Sequence, residues 1–131
     1  MDNGVITIQS NQSVDATVFS LRTAILNAGF VIPLEIEFGA DRARKKRRLP
    51  QSTLLVFGNP RVGTQLMQNQ QEIGLDLPQK FLVFEDRRGQ VHIAYNDPFF
   101  IAQRAGVQGL DPLLTNIANA LRGLAEAGVN P

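Results

Sequence analysis

Thr53-Leu54-Leu55-Val56-Phe57-Gly58-Asn59-Pro60-Arg61-Val62-Gly63-Thr64-Gln65-Leu66-Met67 holds a strand, a turn and a helix start in fifteen residues. Thr53 to Phe57 is an almost unbroken apolar run, the pattern of a central strand covered on both faces. Asn59 offers a side-chain acceptor for a free backbone N–H at a helix start. Pro60 follows at the first helical position, where a missing N–H costs nothing. Val62, Leu66 and Met67 then fall on the side that meets a core. The helix fades in Gln68-Asn69-Gln70-Gln71 and stops near Gly74.

Downstream of this stretch, Phe81-Leu82-Val83-Phe84 and Val91-His92-Ile93-Ala94-Tyr95 bracket Glu85-Asp86-Arg87-Arg88-Gly89-Gln90. Two strands around a short turn with Asp and Gly predict a hairpin. Asp97-Pro98 and Asp111-Pro112 repeat the cap-plus-proline device. The first predicts a short helix through Arg104, ended by Gly106. The second predicts a final helix with the apolar stripe Leu114, Ile117, Leu121, Leu124 and Gly128. Residues 128–131 are expected to fray.

Upstream, Phe30, Ile32, Leu34, Ile36 and Phe38 alternate strictly, which predicts a strand with one buried and one wet face. Pro33 inside it points to a sheet edge or the strand's start. Val5 to Ser10 reads as a first strand. Ser13 caps a helix whose apolar face is Val14, Val18, Leu21, Ile25 and Ala28, and Gly29 closes it. The predicted order is β-α-β-β-(short α)-β-β-α. Strands in succession with few helices predict an α+β two-layer sandwich, as one domain over residues 1–131.

The composition excludes several chemistries. There is no cysteine, so disulfides, thiolate zinc sites, iron–sulfur ligation and a cysteine nucleophile are ruled out. No apolar run approaches the ~20 residues that span a bilayer. The start Met1-Asp2-Asn3-Gly4-Val5-Ile6 lacks the basic and apolar regions of a signal peptide, so the expectation is a cytoplasmic protein with no membrane contact. Net charge is only +1, but six of the thirteen Lys and Arg residues lie between Arg42 and Arg48. Residues 39–50 therefore read as a basic loop. Its plainer account is a solvated connection. Its sharper account is nonspecific nucleic-acid binding through Arg42, Arg44, Lys45, Lys46, Arg47 and Arg48, which would be strongly salt-sensitive.

Two other constellations are candidates for chemistry. Gly58-Asn59-Pro60-Arg61-Val62-Gly63-Thr64 stands between a strand and a helix, like a phosphate-binding loop, but Thr64 replaces the lysine and Gln65 the metal-binding hydroxyl. Pro60 removes one N–H as well, so nucleoside-triphosphate hydrolysis is excluded. What remains is one small anionic group held by N–H groups at the helix start and by Arg61. The alternative is a purely structural cap, with Gly63 permitting close packing. The second constellation is Tyr95-Asn96-Asp97-Pro98 with His92, the only histidine. Strand periodicity puts His92 and Tyr95 on opposite faces. Asp97 is busy if it caps a helix, and no spacing supports a metal, so no metal and no cofactor is expected.

The strings Leu54 to Arg61, Gly63-Thr64, Leu66-Met67, Leu77-Pro78, Phe81 to Glu85, Gly89, Tyr95 to Pro98 and Arg104, taken in order, resemble the bacterial and archaeal family known as domain of unknown function 302. The resemblance covers roughly residues 13–124. It implies a TATA-binding-protein-like fold, an antiparallel sheet with helices on one face, and a homodimer. It implies no activity and no catalytic residue. The basic loop departs from the family's pattern.

The expectation is thus a non-catalytic small-ligand or anion-binding domain acting as a homodimer. Asn59, Arg61, Gly63, Thr64, His92, Tyr95 and Asp97 would line its site. The alternatives are nucleic-acid binding through the basic loop and an enzyme using His92 and Asp97 as an acid–base pair.

Overall fold

A computed structural model describes residues 2–39 and 50–130. Strand β1 (Val5–Ser10) leads into helix α1 (Val14–Asn27) and strand β2 (Val31–Phe38). Strand β3 (Ser52–Gly58) is followed by helix α2 (Pro60–Asn69) and a 3-10 helix (Gln71–Asp76). The hairpin of β4 (Gln79–Glu85) and β5 (Val91–Asn96) comes next, then helices α3 (Pro98–Ala105) and α4 (Asp111–Val129). The protein is α+β, in the predicted order. The predicted basic segment, Arg42 to Arg48, lies outside the described residues.

The five strands form one antiparallel sheet in the order β1-β5-β4-β3-β2. Helix α1 connects the two edge strands across one face, and α4 packs beside it. Thr53, Leu55 and Phe57 of β3 point to this helical face, with Phe81 and Val83 of β4 and Ile93 of β5, all buried. Leu21 and Ile25 of α1 are fully buried against them, and Leu121 and Ala125 of α4 nearly so. A chain of rings crosses this layer. Phe57 stacks on Phe81 at 4.9 Å, and Phe30 and Tyr95 meet the pair edge-on at 6.0 and 5.3 Å.

Helix caps explain most of the boundaries. Ser13 accepts from the N–H of Ala16, Asn59 from Arg61 and Asp97 from Phe99. Gly106 ends α3 in the left-handed conformation at φ 83°. The Asp111-Pro112 expectation needs correction. The N-cap of α4 is Leu110, which forms no side-chain cap, and Asp111 sits in the first turn, where its charge meets the positive end of the helix.

The sheet differs from the expectation in two places. Strand β3 is central, yet helices cover only one of its faces, so Leu54 and Val56 are half-buried on the other. Strand β2 is an edge strand, in keeping with Pro33, but its alternation does not mark a single face. Val31 pairs with Gly58 and Leu34 with Val56, which leaves Ile32 and Pro33 opposite Phe57 alone. This bulge flips the strand. Phe30 and Ile32 pack on the core, whereas Leu34, Ile36 and Phe38 turn to the helix-free face and Glu35 turns to the helices. There Arg22 of α1 donates to both Glu35 oxygens, at 2.7 and 3.1 Å.

Candidate functional site

Strand β3 delivers its chain directly into α2, and a cavity of about 620 Å³ lies behind that turn. Its floor is Phe57 and Phe30. Val62, Gly63, Leu66 and Met67 of α2 form one wall, and Leu113, Ile117 and Leu121 of α4 form the other. Leu77 and Pro78 close it from the β4 side. The volume falls within the range of small-molecule sites. Among the described residues no charged side chain lines it, and its polar side chains are Asn59, Thr64, Gln79 and Asn116.

Helix α2 has an unusual position that explains the cavity. Leu66 is its only buried residue. The helix leans on the 3-10 helix, where Met67 lies tightly over Gly74. Its apolar side therefore faces the cavity, where a packed core would otherwise lie.

The predicted anion cradle is internally occupied. Pro60 has no N–H, and the N–H of Arg61 donates to Asn59 Oδ1 at 3.0 Å. Those of Val62 and Gly63 donate to the Asn59 carbonyl at 3.1 and 3.4 Å. Thr64 Oγ1 donates to the Pro60 carbonyl at 2.9 Å. The Arg61 side chain is exposed and does not line the cavity. Asn59, Gly63 and Thr64 do line it.

The second predicted segment leaves the sheet at the same end as the first, because β3 and β5 run parallel with β4 between them. Its members are nevertheless scattered. Tyr95 faces the helices at 7% exposure, and burial pushes its phenol pKa up. Asp97 accepts from the N–H of Phe99 at 3.0 Å as the cap of α3. His92 is on the helix-free face, five residues before Asp97 and so roughly 16 Å away along β5. Its partner is Asp86 of the hairpin turn, whose Oδ2 is 2.8 Å from His92 Nε2. Asp86 also accepts from the N–H groups of Arg88 and Gln90. The bond from His92, then that from Gln90, holds the Asp86 carboxyl below its ordinary range. The geometry gives no His92–Asp97 pair. No group of three or more metal-ligating side chains occurs among the described residues.

The sequence reading did not pick out the α4 wall. Its signal was an apolar stripe wider than docking on a sheet requires. Leu113 and Ala120 extend that stripe to one side, and Asn116 lies between them at the cavity rim.

Known proteins resemble the chain in three ways. The crystal structure of an uncharacterized conserved DUF302 protein from Bacillus stearothermophilus matches at a TM-score of 0.82 and 16% identity, over 96% of this chain and 98% of that one. At that identity the likeness is one of fold. The protein named Fluoride-specific ion channel FluC 1 of Brucella suis biovar 1 is 38% identical over 104 residues, 79% of this chain and 41% of that protein. Fluoride-specific ion channel FluC 2 of Brucella melitensis biotype 1 has the same identity, over 38% of its length. The chain thus spans about two-fifths of the curated relatives it matches. Among the described residues no helix is long and apolar enough to cross a membrane. The family model described as Domain of unknown function DUF302 matches residues 6–128, and the protein belongs to that family.

Proposed function

We propose that this protein is a non-catalytic domain that binds a small ligand in the cavity between α2 and α4 and acts as a homodimer. The observation that carries the ligand reading is the cavity of about 620 Å³ at the β3–α2 turn, walled by the apolar side of a helix that buries little else. A non-catalytic role agrees with the surroundings of the titratable side chains near the turns. His92 and Asp86 hold each other, and Asp97 holds a helix end. Channel activity, for which the curated relatives are named, is not carried over, since the shared stretch is 41% or less of their length.

The dimer reading has its own support. The helix-free face of the sheet presents Val5, Val31, Leu34 and Phe38 at 46%, 58%, 50% and 45% exposure, with Leu54, Val56, Leu82 and Phe84 half-buried between them. Five strands about 4.8 Å apart and six residues long give a face of roughly 500 Å² per copy, with polar positions such as Thr7, Gln9, Lys80 and His92 included. Two such faces reach the ~1,000 Å² at which specific interfaces begin, and sheets pack face to face about 10 Å apart.

Native mass spectrometry of the protein purified gently from its own host tests both parts. The expected result is a dimer that carries a small molecule and releases it on denaturation. A bare species at every collision energy, with no mass lost on denaturation, would remove the ligand reading. A monomer at micromolar concentration would remove the dimer.

A further inference from the structure

We infer that the ligand of the α2–α4 cavity is an uncharged, largely apolar molecule of about twenty non-hydrogen atoms, with any polar end directed to the rim at Asn59, Gln79 and Asn116. This inference rests on the ligand reading above and narrows it. The size follows from the cavity volume of about 620 Å³, taking the ~30 Å³ of one water as the share of one heavy atom.

The chemistry follows from what the walls lack. An anion enclosed in the cavity needs a cation or several N–H donors converging on it, because a carboxylate moved out of water without them is strongly disfavoured. Among the described residues no Lys, Arg or His lines this cavity. The N–H groups at the start of α2 are all engaged with Asn59, so the helix end has no donor left to offer. Two of the four polar lining side chains already make one bond each within the fold, and Asn59 keeps its Nδ2 donors. Asn59 Oδ1 accepts from Arg61, and the Thr64 hydroxyl donates to Pro60. The side chains of Gln79 and Asn116 make no hydrogen bond among the described residues, and Asn116 is exposed. With the Nδ2 of Asn59, they are the groups able to meet a hydroxyl, carbonyl or amide at the rim. The side chains of Phe57, Phe30, Val62, Leu66, Ile117 and Leu121, which make up much of the remaining wall, are apolar.

Gly63 provides a probe that removes no contact. A Cβ there would lie 3.7 Å from Leu77 Cδ1, an ordinary contact, so a larger side chain at this position extends along the cavity wall. Ala120 lines the cavity from the opposite helix.

The test uses the full-length protein, the neutral dye Nile red, and two competitors of equal chain length, 1-dodecanol and dodecanoate at pH 8. Nile red should bind with enhanced fluorescence, and both Gly63→Leu and Ala120→Leu should weaken it by about tenfold or more. Either variant suffices if the other fails to fold, as judged by its thermal transition. Dodecanol should displace the dye at concentrations about tenfold below those of dodecanoate, and Arg61→Ala should leave both values unchanged. If dodecanoate competes as well as dodecanol or better, and Arg61→Ala weakens it, the neutral class is overturned while the cavity remains a ligand site. If the dye does not bind, or binds equally to both wall variants, the cavity reading itself fails.

Discussion

Asn59 is the residue on which the β3–α2 turn depends. Its side chain accepts from Arg61 and its carbonyl from Val62 and Gly63, so one residue satisfies the N–H groups that a proline-led helix start leaves open. Asn59→Ala should cost about 1 kcal/mol in a denaturant titration, whereas Asn59→Asp should cost much less, because aspartate caps equally well. Arg61→Ala, at an exposed position, should stay within ~0.5 kcal/mol.

Asp86 gives a prediction with a definite sign. Its folded-state pKa is lowered, so its contribution to stability is present above the ordinary carboxylate value of about 3.9 and is lost as pH falls through the lower folded value. In His92→Ala the largest cause disappears while the N–H donors Gln90 and Arg88 remain. A carboxyl titration followed by NMR should therefore show Asp86 moving up toward the ordinary value without reaching it. An unmoved titration would mean that the turn's own N–H groups set the value. The sequence announced Asp86 only as a turn residue and His92 only as a lone histidine. Their pairing depends on hairpin register, which no local pattern encodes.

At the scale of elements, α4 contains two glycines with opposite roles. A Cβ at Gly123 would meet nothing within 4 Å, whereas one at Gly128 would lie 3.3 Å from Leu21 Cβ on α1 and 2.9 Å from Ile93 Cδ1 on β5. Gly123→Ala should thus stabilise the protein by about 0.5–1 kcal/mol through helix propensity alone. Gly128→Val should destabilise it by about 1–3 kcal/mol, because α1 would have to be pushed off α4. Thermal unfolding of the two variants checks both signs, and equal effects would refute the close packing of α1 on α4. The caps and the apolar stripe of α4 were legible because they repeat at helical spacing. The two glycines look alike in sequence, and only the packing of α1 distinguishes them.

Strand β2 illustrates a different limit. Strict alternation from Phe30 to Phe38 is the pattern of a half-buried strand, and it would be one if the register ran unbroken. The bulge at Ile32 and Pro33 adds one residue and reverses every side chain that follows. Proline signalled an edge position, which the fold bears out. It did not signal that Leu34 and Phe38 would be exposed on the helix-free face.

At the scale of the whole molecule, the helices cover one side of the sheet, and the other side is apolar over β2, β3 and most of β4 but carries Lys80, His92 and the polar side chains of β1 as well. If two copies cover that side together, Leu34→Lys should give a monomer by sedimentation equilibrium without unfolding the chain, since Leu34 is already 50% exposed. A dimer unchanged by this substitution would place the contact elsewhere.

Local sequence pattern was enough for the α+β class, the order of elements and the caps at Ser13, Asn59 and Asp97. These depend on interactions within a few residues, which repeat at fixed spacing. It also marked the β3–α2 turn, and the cavity does lie beside that turn. What surrounds the turn depends on packing between distant elements. The side chain and carbonyl of Asn59 occupy the local N–H groups, and α2 is held away from α4, leaving an uncharged space between them. A cavity is the gap left when distant elements fail to meet, and residues such as Val62 and Ile117 read the same in sequence whether they face a neighbour or that gap.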